Sequence, residues 1–429
     1  MDSKIGVLVF PAGEINSVEL HDALSACVNI RLVGASSIER HGEYIFENYY
    51  SGIPKINEYN FIDYFNELIN KEQIDIVIPT HDDVALYFAE NKEKIHAKIL
   101  TADLETAKVC RDKKLTYDMF ENCDFCPKIY DKLQEFPVFI KPRRGQGSVG
   151  TKLIMNKGDI TQGIEWSDYV ICEYLPGEEW TVDCFTNKDG VLSFVMPRSR
   201  QRTWAGVSVH AQTEELTEEV NKIAETINNS LVFVGLWYFQ IKRDKEGNWK
   251  LLEVSSRCAG TMCLSRAAGA NLPLLSVYTA LDKEVQVFTN DYKIQVDRTL
   301  ISRYRTNMVY KRVYIDLDDT ILVRGKVHLP AVWFLYQCMN EGKEVILLTR
   351  HSADHDDTVK EVLKKHKIMP ELFSQIIEMT FDMPKYKVME SQDAIFIDNA
   401  YVERMKVHEK LGIPVFDVDG LEVLMDWRR

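Results

Sequence analysis

The sequence predicts a multidomain protein of mixed α/β and α+β class. Short apolar strands alternate with helical stretches near both ends of the chain, a pattern typical of parallel sheets covered by helices. Between residues 137 and 255, strands follow one another with few helices, which indicates a largely antiparallel structure. A polar, arginine-rich stretch from Asp297 to Tyr310 comes next. We therefore expect three domains, at residues 1–105, 106–300 and 311–429.

The net charge, the apolar runs and the cysteines of the chain argue against several classes of function. The chain has 429 residues, 45% of them hydrophobic, and a net charge of −13, which argues against a general nucleic-acid or membrane-surface binder. No apolar run approaches the length of a membrane span. The 9 cysteines are scattered without a disulfide framework, as in proteins of a reducing compartment. We expect a cytoplasmic protein with no nucleic-acid or membrane partner.

The first domain is predicted to be a small unit of alternating strands and helices. Its first turn, residues 11–16, lacks the GxGxxG pattern, so a dinucleotide fingerprint is absent. Asp82 and Asp83 follow the third strand, and we interpret them as helix N-caps, with a place at a substrate site as the alternative. The predicted elements are strands at 5–10, 30–34 and 74–79 and helices at 17–26 and 62–71.

A glycine-rich loop follows a lysine in the second domain. A helix is predicted from Thr101 through Lys113 and Lys114, and Lys141 then ends the strand at 137–141. The next residues can wrap backbone N–H groups around phosphates, although a plain β-hairpin turn is the alternative. The loop residues concerned are Gly145, Gly147, Ser148 and Gly150.

Two later segments suit a nucleotide and its metal. The extended segment Glu173-Tyr174-Leu175 can offer backbone groups to an adenine, and the Glu179 carboxylate can take ribose hydroxyls. Gln240 and the strand Glu253-Val254-Ser255 carry oxygen ligands of the kind that Mg²⁺ prefers. The Arg257 guanidinium follows, a fork-shaped cation that suits phosphoryl or carboxylate oxygens.

The order of these features resembles the ATP-grasp superfamily from about residue 1 to 300, and looks most like its carbamoyl-phosphate-synthetase-like carboxylate–amine ligases. The resemblance implies a pre-ATP-grasp α/β domain, an ATP-grasp fold, and ATP and Mg²⁺ as cofactors. The implied roles are Lys113 and Lys141 for the phosphates under a mobile glycine loop, Glu253 with Gln240 for the metal, and Arg257 for substrate and γ-phosphate. The family usually has Asn where this chain has Ser255, a weaker metal ligand.

A basic cluster indicates the second substrate. Arg198, Arg200 and Arg202 stand close together in an acidic chain. Three guanidinium groups suggest an anionic small molecule, either a carboxylate or a phosphorylated metabolite, and a solvated loop is the alternative. His210 nearby is a candidate proton acceptor, although a structural histidine is the commoner case.

The last domain carries polar residues at the ends of apolar strands. Asp316 and Asp318 follow one such strand, Thr349 ends a second, and Asp398 caps a third. The ends of parallel strands share one edge of a sheet, where ligands bind. One carboxylate there can attack phosphorus and another can shuttle the proton, while Lys385 can offset the phosphoryl charge.

This order resembles the haloacid dehalogenase-like phosphohydrolases over roughly the last quarter of the chain. The resemblance implies a Rossmann-like domain, and few residues separate Thr320 from Val345, which leaves no room for a large cap domain. The family often has a second acid where this chain has Asn399, and Glu403 lies further along. The implied roles are Asp316 as nucleophile, Asp318 as general acid/base, Thr349 and Lys385 as phosphate binders, and Asp398, Asp316 and the Asp318 backbone as metal ligands.

The stretch from His351 to Asp357 is dense in metal-ligand residue types. We interpret it instead as acids at the start of a helix, balanced by the basic run 364–367 at its end.

Together the patterns predict a bifunctional enzyme. The first part is expected to activate a carboxylate with ATP as an acyl phosphate, which an amine or ammonia captures. The last part is expected to hydrolyse a phosphate ester. Two alternatives stay open: an ATP-grasp phosphotransferase that makes no amide, and a non-catalytic C-terminal binding or regulatory module. A homodimer is compatible with the bifunctional enzyme and with both alternatives.

Overall fold

The structure, a computed structural model, describes residues 4–38, 41–133, 135–160, 165–204 and 206–428. The chain forms two compact units: one runs to Leu300 and takes in Arg428, and the other runs from Ile301 to Trp427. The first unit contains one parallel and two antiparallel sheets, and the second contains a parallel sheet and a hairpin. The mixed fold class is therefore confirmed, while the predicted boundary at residue 105 stays a prediction.

The first unit opens with a parallel sheet that is buried on both faces. Its elements are β1 (Ile5–Phe10), α1 (Ile15–Leu24), β2 (Ile30–Ala35), β3 (Asn48–Tyr50), α2 (Phe61–Lys71), β4 (Ile76–Pro79), α3 (Asp82–Glu90) and β5 (Lys98–Ile99), and the sheet order is β3-β2-β1-β4-β5. Alternate residues of a strand point to opposite faces. Val7 and Val9 accordingly pack in one buried cluster, and Leu8 and Phe10 in another. This is why the run is apolar throughout.

Two helices and a small antiparallel sheet follow. They are α4 (Leu104–Arg111), α5 (Lys113–Met119), β6 (Ile129–Tyr130), β7 (Val138–Pro142), β8 (Lys152–Ile154) and β9 (Tyr169–Glu173), with the sheet order β6-β9-β7-β8. The single helix predicted from Thr101 through Lys114 is wrong, because Asp112 divides it. The Asp112 carboxylate accepts a hydrogen bond from the backbone N–H of Lys114 at 3.0 Å and so caps α5.

A six-stranded antiparallel sheet completes the first unit. Its elements are β10 (Glu179–Thr186), β11 (Leu192–Trp204), β12 (Val207–Thr213), α6 (Glu218–Ser230), β13 (Gly235–Arg243), β14 (Trp249–Ser255), α7 (Cys263–Ala267), α8 (Leu272–Ala280) and β15 (Gln295–Asp297), in the sheet order β14-β13-β10-β11-β12-β15. Helix α6 was not predicted, although Val220, Ile223 and Ile227 are buried at helical spacing. The arginine cluster belongs to β11 and not to a loop.

The second unit is built on a five-stranded parallel sheet. Its elements are β16 (Arg312–Ile315), β17 (Leu322–Val323), β18 (Lys326–Val327), α9 (Leu329–Asn340), β19 (Glu344–Thr349), α10 (His351–Asp354), α11 (Val359–Lys365), β20 (Gln375–Glu378), β21 (Ala394–Ile397), α12 (Tyr401–Leu411), β22 (Val415–Phe416) and α13 (Leu421–Leu424), in the sheet order β20-β19-β16-β21-β22. Ile315 pairs with both Leu347 and Ile397, so the ends of β16, β19 and β21 lie side by side. Between β16 and β19, where every residue is described, lie the β17–β18 hairpin and α9.

None of the helices in the described part of the chain is both long and apolar enough to span a bilayer.

Candidate functional site

A cleft lined by both antiparallel sheets, here called the inter-sheet cleft, gathers most of the residues predicted to bind a nucleotide. Phe139, Cys172 and Lys242 line it as well and were not predicted. Lys242 follows Gln240 by two residues on β13, so strand alternation is the signal that could have found it. The predicted residues that line the cleft are Lys113, Lys141, Gly145, Gly147, Ser148, Glu173, Tyr174, Leu175, Glu179, Gln240 and Glu253.

Two lysines bring positive charge to the inter-sheet cleft. The Lys141 side chain is buried on β7, where its Nζ donates to the carbonyl of Leu252 at 3.2 Å, and burial lowers the pKa of Lys141. Lys113, at the start of α5, donates from Nζ to the carbonyl of Gly145 at 2.9 Å and lies 3.9 Å from the Glu253 carboxylate. Partly desolvated cations beside a glycine-rich loop suit phosphate oxygens.

Gln240 and Glu253 lie opposite each other on neighbouring strands. Both line the inter-sheet cleft and the second cleft described below. A carboxylate and an amide oxygen side by side form a donor set that fits Mg²⁺. Ser255 was expected to join them, but its hydroxyl donates to Oδ1 of Asp82 at 3.0 Å, and it lines neither cleft. The structure therefore does not bring Ser255 to the metal-ligand pair.

The Glu179 carboxylate, predicted to hold a ribose, is ion-paired in this structure. It contacts the guanidinium of Arg200 and lies 3.4 Å from Nζ of Lys242. Arg200 also donates to the side-chain oxygen of Gln240 at 3.1 Å. These contacts join four residues that line the inter-sheet cleft into one polar network.

An adjoining cleft shares Gln146, Gly147, Arg200, Gln240 and Glu253 with the inter-sheet cleft. The first turn of α1, the end of β4, and residues after β14 also line it. Among the residues that the structure describes, Oγ of Ser208 has no hydrogen-bond partner although it is buried and Ser208 lines this cleft. An unmet polar atom beside a helix N-terminus is a feature of sites for anions.

Arg257 lines the adjoining cleft with its guanidinium already paired. Its Nε and Nη2 donate to the two oxygens of Asp82 at 2.8 and 2.9 Å. Burial raises the pKa of Asp82, but the positive charge of Arg257 and its hydrogen bonds outweigh that effect. The pKa of Asp82 is therefore lowered to about 2. Asp82 and Asp83 are therefore not the N-caps that the sequence suggested: His81 caps α3, and Asp83 pairs with Arg111.

The three arginines predicted to bind substrate have different surroundings. Arg198 is buried and donates to both oxygens of Asp183, at 3.1 and 2.9 Å. Arg200 and Arg198 line the adjoining cleft, whereas Arg202 does not. Arg202 is exposed and pairs with Asp297 at 2.7 Å. Arg202 is thus outside the cluster, because two register shifts interrupt β11 pairing around it.

Arg198 holds a buried charge whose loss is expected to destabilise the fold. Arg198→Met leaves the Asp183 carboxylate, which is 0% exposed, without its cation, so we expect a loss of about 3–5 kcal/mol in the free energy of unfolding. Urea unfolding measures it. Arg202→Met on the same strand breaks an exposed pair that solvent screens, and the free energy of unfolding is expected to stay nearly unchanged. If the two variants lose equally little free energy of unfolding, the ion pair between Arg198 and Asp183 does not stabilise the fold as we expect.

The glycine-rich loop is held at its tip. A Cβ on Gly206 would lie 2.2 Å from the carbonyl carbon of Gly147, so the two backbones can approach this closely because Gly206 has no side chain. Gln146 contacts the ring of His81 at 2.6 Å. Gly150 packs instead against Pro142 and is not among the residues that line the inter-sheet cleft.

A second polar site lies at the strand ends of the second unit. Nζ of Lys385 lies 2.7 Å from Asp316 and 2.6 Å from Asp398, and all three side chains are buried. Burial raises the pKa of Asp316 to about 6, against the opposing effect of the Lys385 charge. Two buried carboxylates around one lysine are a donor set that fits Mg²⁺ and a phosphoryl group.

The remaining predicted residues of this site surround His351. Asp318 contacts the His351 ring at 2.9 Å, and Oγ1 of Thr349 accepts from the His351 backbone N–H at 3.1 Å. The helix-dipole interpretation of this stretch is therefore incomplete. It fits Glu361 and the last turn of α11, but not His351, whose ring also contacts Asp357 at 3.1 Å.

Asn399, at the position where the phosphohydrolases often have a second acid, and Glu403, which lies further along the chain, both contact other residues of the second unit. The backbone N–H of Asn399 donates to Oγ1 of Thr320 at 3.1 Å. Glu403 pairs with Arg350 at 3.3 Å.

The nine cysteines are free thiols.

Comparison with known proteins supports the fold of the first unit. A protein-family model described as "ATP-grasp in the biosynthetic pathway with Ter operon" matches residues 165–299. No match was found among curated protein sequences.

Similar solved structures share the fold at low sequence identity. One is the biotin carboxylase domain of 2-oxoglutarate carboxylase from Hydrogenobacter thermophilus, a dimer in complex with MgADP, ADP and bicarbonate: 13% identity, TM-score 0.53, 68% of this chain and 72% of that one. Another is N5-carboxyaminoimidazole synthetase from Staphylococcus aureus with ADP: 13% identity, TM-score 0.54, 68% and 80%. A third is L-amino acid ligase from Bacillus licheniformis: 13% identity, TM-score 0.53, 65% and 75%.

The resemblance of residues 311–429 to haloacid dehalogenase-like phosphohydrolases stays a prediction. The match of residues 165–299 to the ATP-grasp family model, together with the fold shared with these structures, supports an ATP-grasp fold for the first unit.

Proposed function

We propose that the first unit is an ATP-dependent carboxylate–amine ligase that uses Mg²⁺ and takes an amine or ammonia as its second substrate. One observation carries this: Gln240 and Glu253 line two adjoining clefts at once. Gln240 and Glu253 would hold a metal whose positive charge offsets the charge of a nucleotide and of an anionic substrate. ADP in similar structures supports the nucleotide assignment.

The residues divide the work between the two clefts. Mg²⁺, when bound, supplies charge neutralisation at the β- and γ-phosphates, and Gln240 and Glu253 are the residues that would hold it. Lys113 and Lys141 line the same cleft and would balance phosphate charge there. Glu179 would hold the ribose only after exchanging a contact to Arg200 or Lys242 for the sugar hydroxyls.

The adjoining cleft is proposed to bind the anionic substrate. Arg200 lines both clefts, and the buried Ser208 hydroxyl has no hydrogen-bond partner among the described residues. The Arg257 guanidinium is held in place by its ion pair with Asp82. A carboxylate oxygen of the substrate attacks the γ-phosphorus, the bond to the β–γ bridging oxygen breaks, and ADP leaves. The amine nitrogen then attacks the acyl carbon and loses a proton, and inorganic phosphate departs with one carboxylate oxygen.

A metabolite screen tests this function. The full-length protein is incubated with ATP, Mg²⁺, a panel of carboxylates and hydroxylamine, and ADP, phosphate and hydroxamate are measured separately. We expect one ADP, one phosphate and one hydroxamate per turnover with the correct acid. ADP without free phosphate, together with a stable phosphorylated product, would instead identify the phosphotransferase alternative.

The glycine-rich loop gives an independent test of the nucleotide site. Residues 145–150 are expected to exchange backbone hydrogens faster than β7 and β8, and to be protected by an ATP analogue with Mg²⁺, because their N–H groups then bond to phosphates. Hydrogen-exchange mass spectrometry measures this. The β10–β11 turn, residues 187–190, serves as the control and should not change. Unchanged exchange at 145–150 under saturation would favour a plain hairpin.

For the second unit we propose a Mg²⁺-dependent phosphatase, supported by the contacts of Lys385 with Asp316 and Asp398. A carboxylate oxygen of Asp316 attacks phosphorus, the ester P–O bond breaks, and the Asp318 carboxyl gives its proton to the leaving oxygen. Water then attacks the aspartyl-phosphate, Asp318 takes a proton from it, and phosphate leaves. Asp398 is the further ligand that would hold Mg²⁺.

The arrangement around β16 suits an open site. The hairpin and α9 that precede β19 are small, so we propose that the substrate is a bulky phosphorylated metabolite, and that the ligase and phosphatase act on one compound. A cytoplasmic location and a homodimer stay predictions.

A further inference from the structure

The His351 ring lies between two aspartates of the second unit. Its ring Nδ1 lies 2.9 Å from both carboxylate oxygens of Asp318, and Nε2 lies 3.1 Å from Oδ1 of Asp357. The His351 side chain is 5% exposed, whereas those of Asp318 and Asp357 are 38% and 44% exposed. A buried ring therefore contacts two aspartates that solvent reaches.

The end of β19 explains how the ring reaches Asp318. Thr349 ends the strand, the chain turns at Arg350, and α10 begins at His351. The backbone N–H of His351 donates to Oγ1 of Thr349, so this bond uses an acceptor position of the Thr349 hydroxyl and not its proton. One residue thus contacts both a proposed phosphate binder and the proposed general acid/base.

We propose that His351 is a positioning residue for proton transfer by Asp318, with Asp357 fixing the ring in turn. The inference rests on the phosphatase function proposed above. A half-exposed aspartate has free rotation about its side-chain bonds, and a hydrogen bond from a buried ring restricts it to the orientation in which its proton meets the leaving oxygen. The ring itself transfers no proton and makes no contact with substrate.

A cation could in principle explain the same cluster, because ligand atoms of Asp318, His351 and His355 lie within 4.8 Å of one another. The two imidazole rings, however, stack with centroids 4.5 Å apart and planes at 25°. Ring nitrogens bind metals in the plane of the ring, and nearly parallel stacked rings do not converge on one point. The geometry therefore favours a hydrogen-bonded chain from Asp357 through His351 to Asp318.

The test uses full-length protein, Mg²⁺ and two phosphate esters that differ in their need for a proton. p-Nitrophenolate leaves unaided, whereas the alkoxide of glycerol 2-phosphate requires protonation. The amide of His351→Asn falls near Nδ1 and keeps a donor toward Asp318, whereas the amide of His351→Gln falls near Nε2. We expect His351→Gln to lower kcat about 100-fold with glycerol 2-phosphate and about 10-fold with p-nitrophenyl phosphate, with KM little changed. His351→Asn should stay within a few-fold of wild type.

His355→Gln is the matched control and should keep wild-type activity, since His355 stacks on the ring but is not in the chain to Asp318. Beryllium fluoride binding at Asp316 checks that each variant folds. Equal losses with the two esters, or the same loss in His351→Asn, would overturn the positioning role. An equal loss in His355→Gln would overturn it in favour of a cation. A wild-type protein inactive on both esters would remove the phosphatase proposal and this inference together.

Discussion

Glu253→Gln is expected to abolish ATP turnover while the protein keeps its fold. The amide retains the shape of the side chain and its place opposite Gln240 on β13, but it lacks the negative charge that we propose to hold Mg²⁺. Loss of such an electrostatic contribution costs at least about 100-fold in kcat. The measurement is ADP formation with the substrate found in the screen.

Glu246→Gln provides the control for that variant. Glu246 lies in the exposed turn between β13 and β14 and pairs with the neighbouring Lys245, so its neutralisation should leave ADP formation unchanged. If Glu253→Gln forms ADP at the wild-type rate, the assignment of β14 as the metal-binding strand is wrong.

Asp316→Asn is expected to remove phosphate-ester hydrolysis completely, because an amide cannot act as the nucleophile. Asp318→Asn should lower the rate by about 100-fold or more, the usual scale for a lost general acid/base. ATP turnover by the first unit should survive both changes. The measurement is phosphate release from p-nitrophenyl phosphate by full-length protein.

Asp319→Asn is the control for this pair. Asp319 is exposed and has a φ of +52°, a conformation that Asn adopts readily, so activity should persist. If wild-type protein neither hydrolyses the ester nor traps beryllium fluoride at Asp316, catalysis by the second unit is excluded, and the non-catalytic binding or regulatory module becomes the better interpretation.

Local patterns in the sequence were sufficient to predict most of the polar residues that line the inter-sheet cleft. Lys141, Gln240 and Glu253 lie on strands whose apolar alternation is evident in the sequence, and strand ends carry their polar neighbours to one place. The loop at 145–150 is recognisable from its glycines alone.

The sequence could not show which charges pair with one another. Asp82 and Arg257 form an ion pair although they lie 175 residues apart in the sequence. Asp183 pairs with Arg198, and not with Arg200 or Arg202, because of the register between β10 and β11. Such pairings depend on the register between strands, which no single stretch of sequence encodes.

His351 was missed for the same reason. Within its own segment it looks like part of a helix start, and its role depends on Asp318, which lies 33 residues earlier on a neighbouring strand end. By contrast, the apolar spacing of α6 is visible in the sequence, so helical periodicity alone is sufficient to predict that helix.

The most direct test of the ligase mechanism follows one oxygen atom. The carboxylate substrate from the screen is labelled with ¹⁸O in both carboxylate oxygens and turned over with ATP, Mg²⁺ and its amine, and the released phosphate is analysed by mass spectrometry. Formation of an acyl phosphate requires one ¹⁸O atom to appear in each phosphate released. Unlabelled phosphate, formed at the same rate as ADP, would contradict carboxylate activation by this protein.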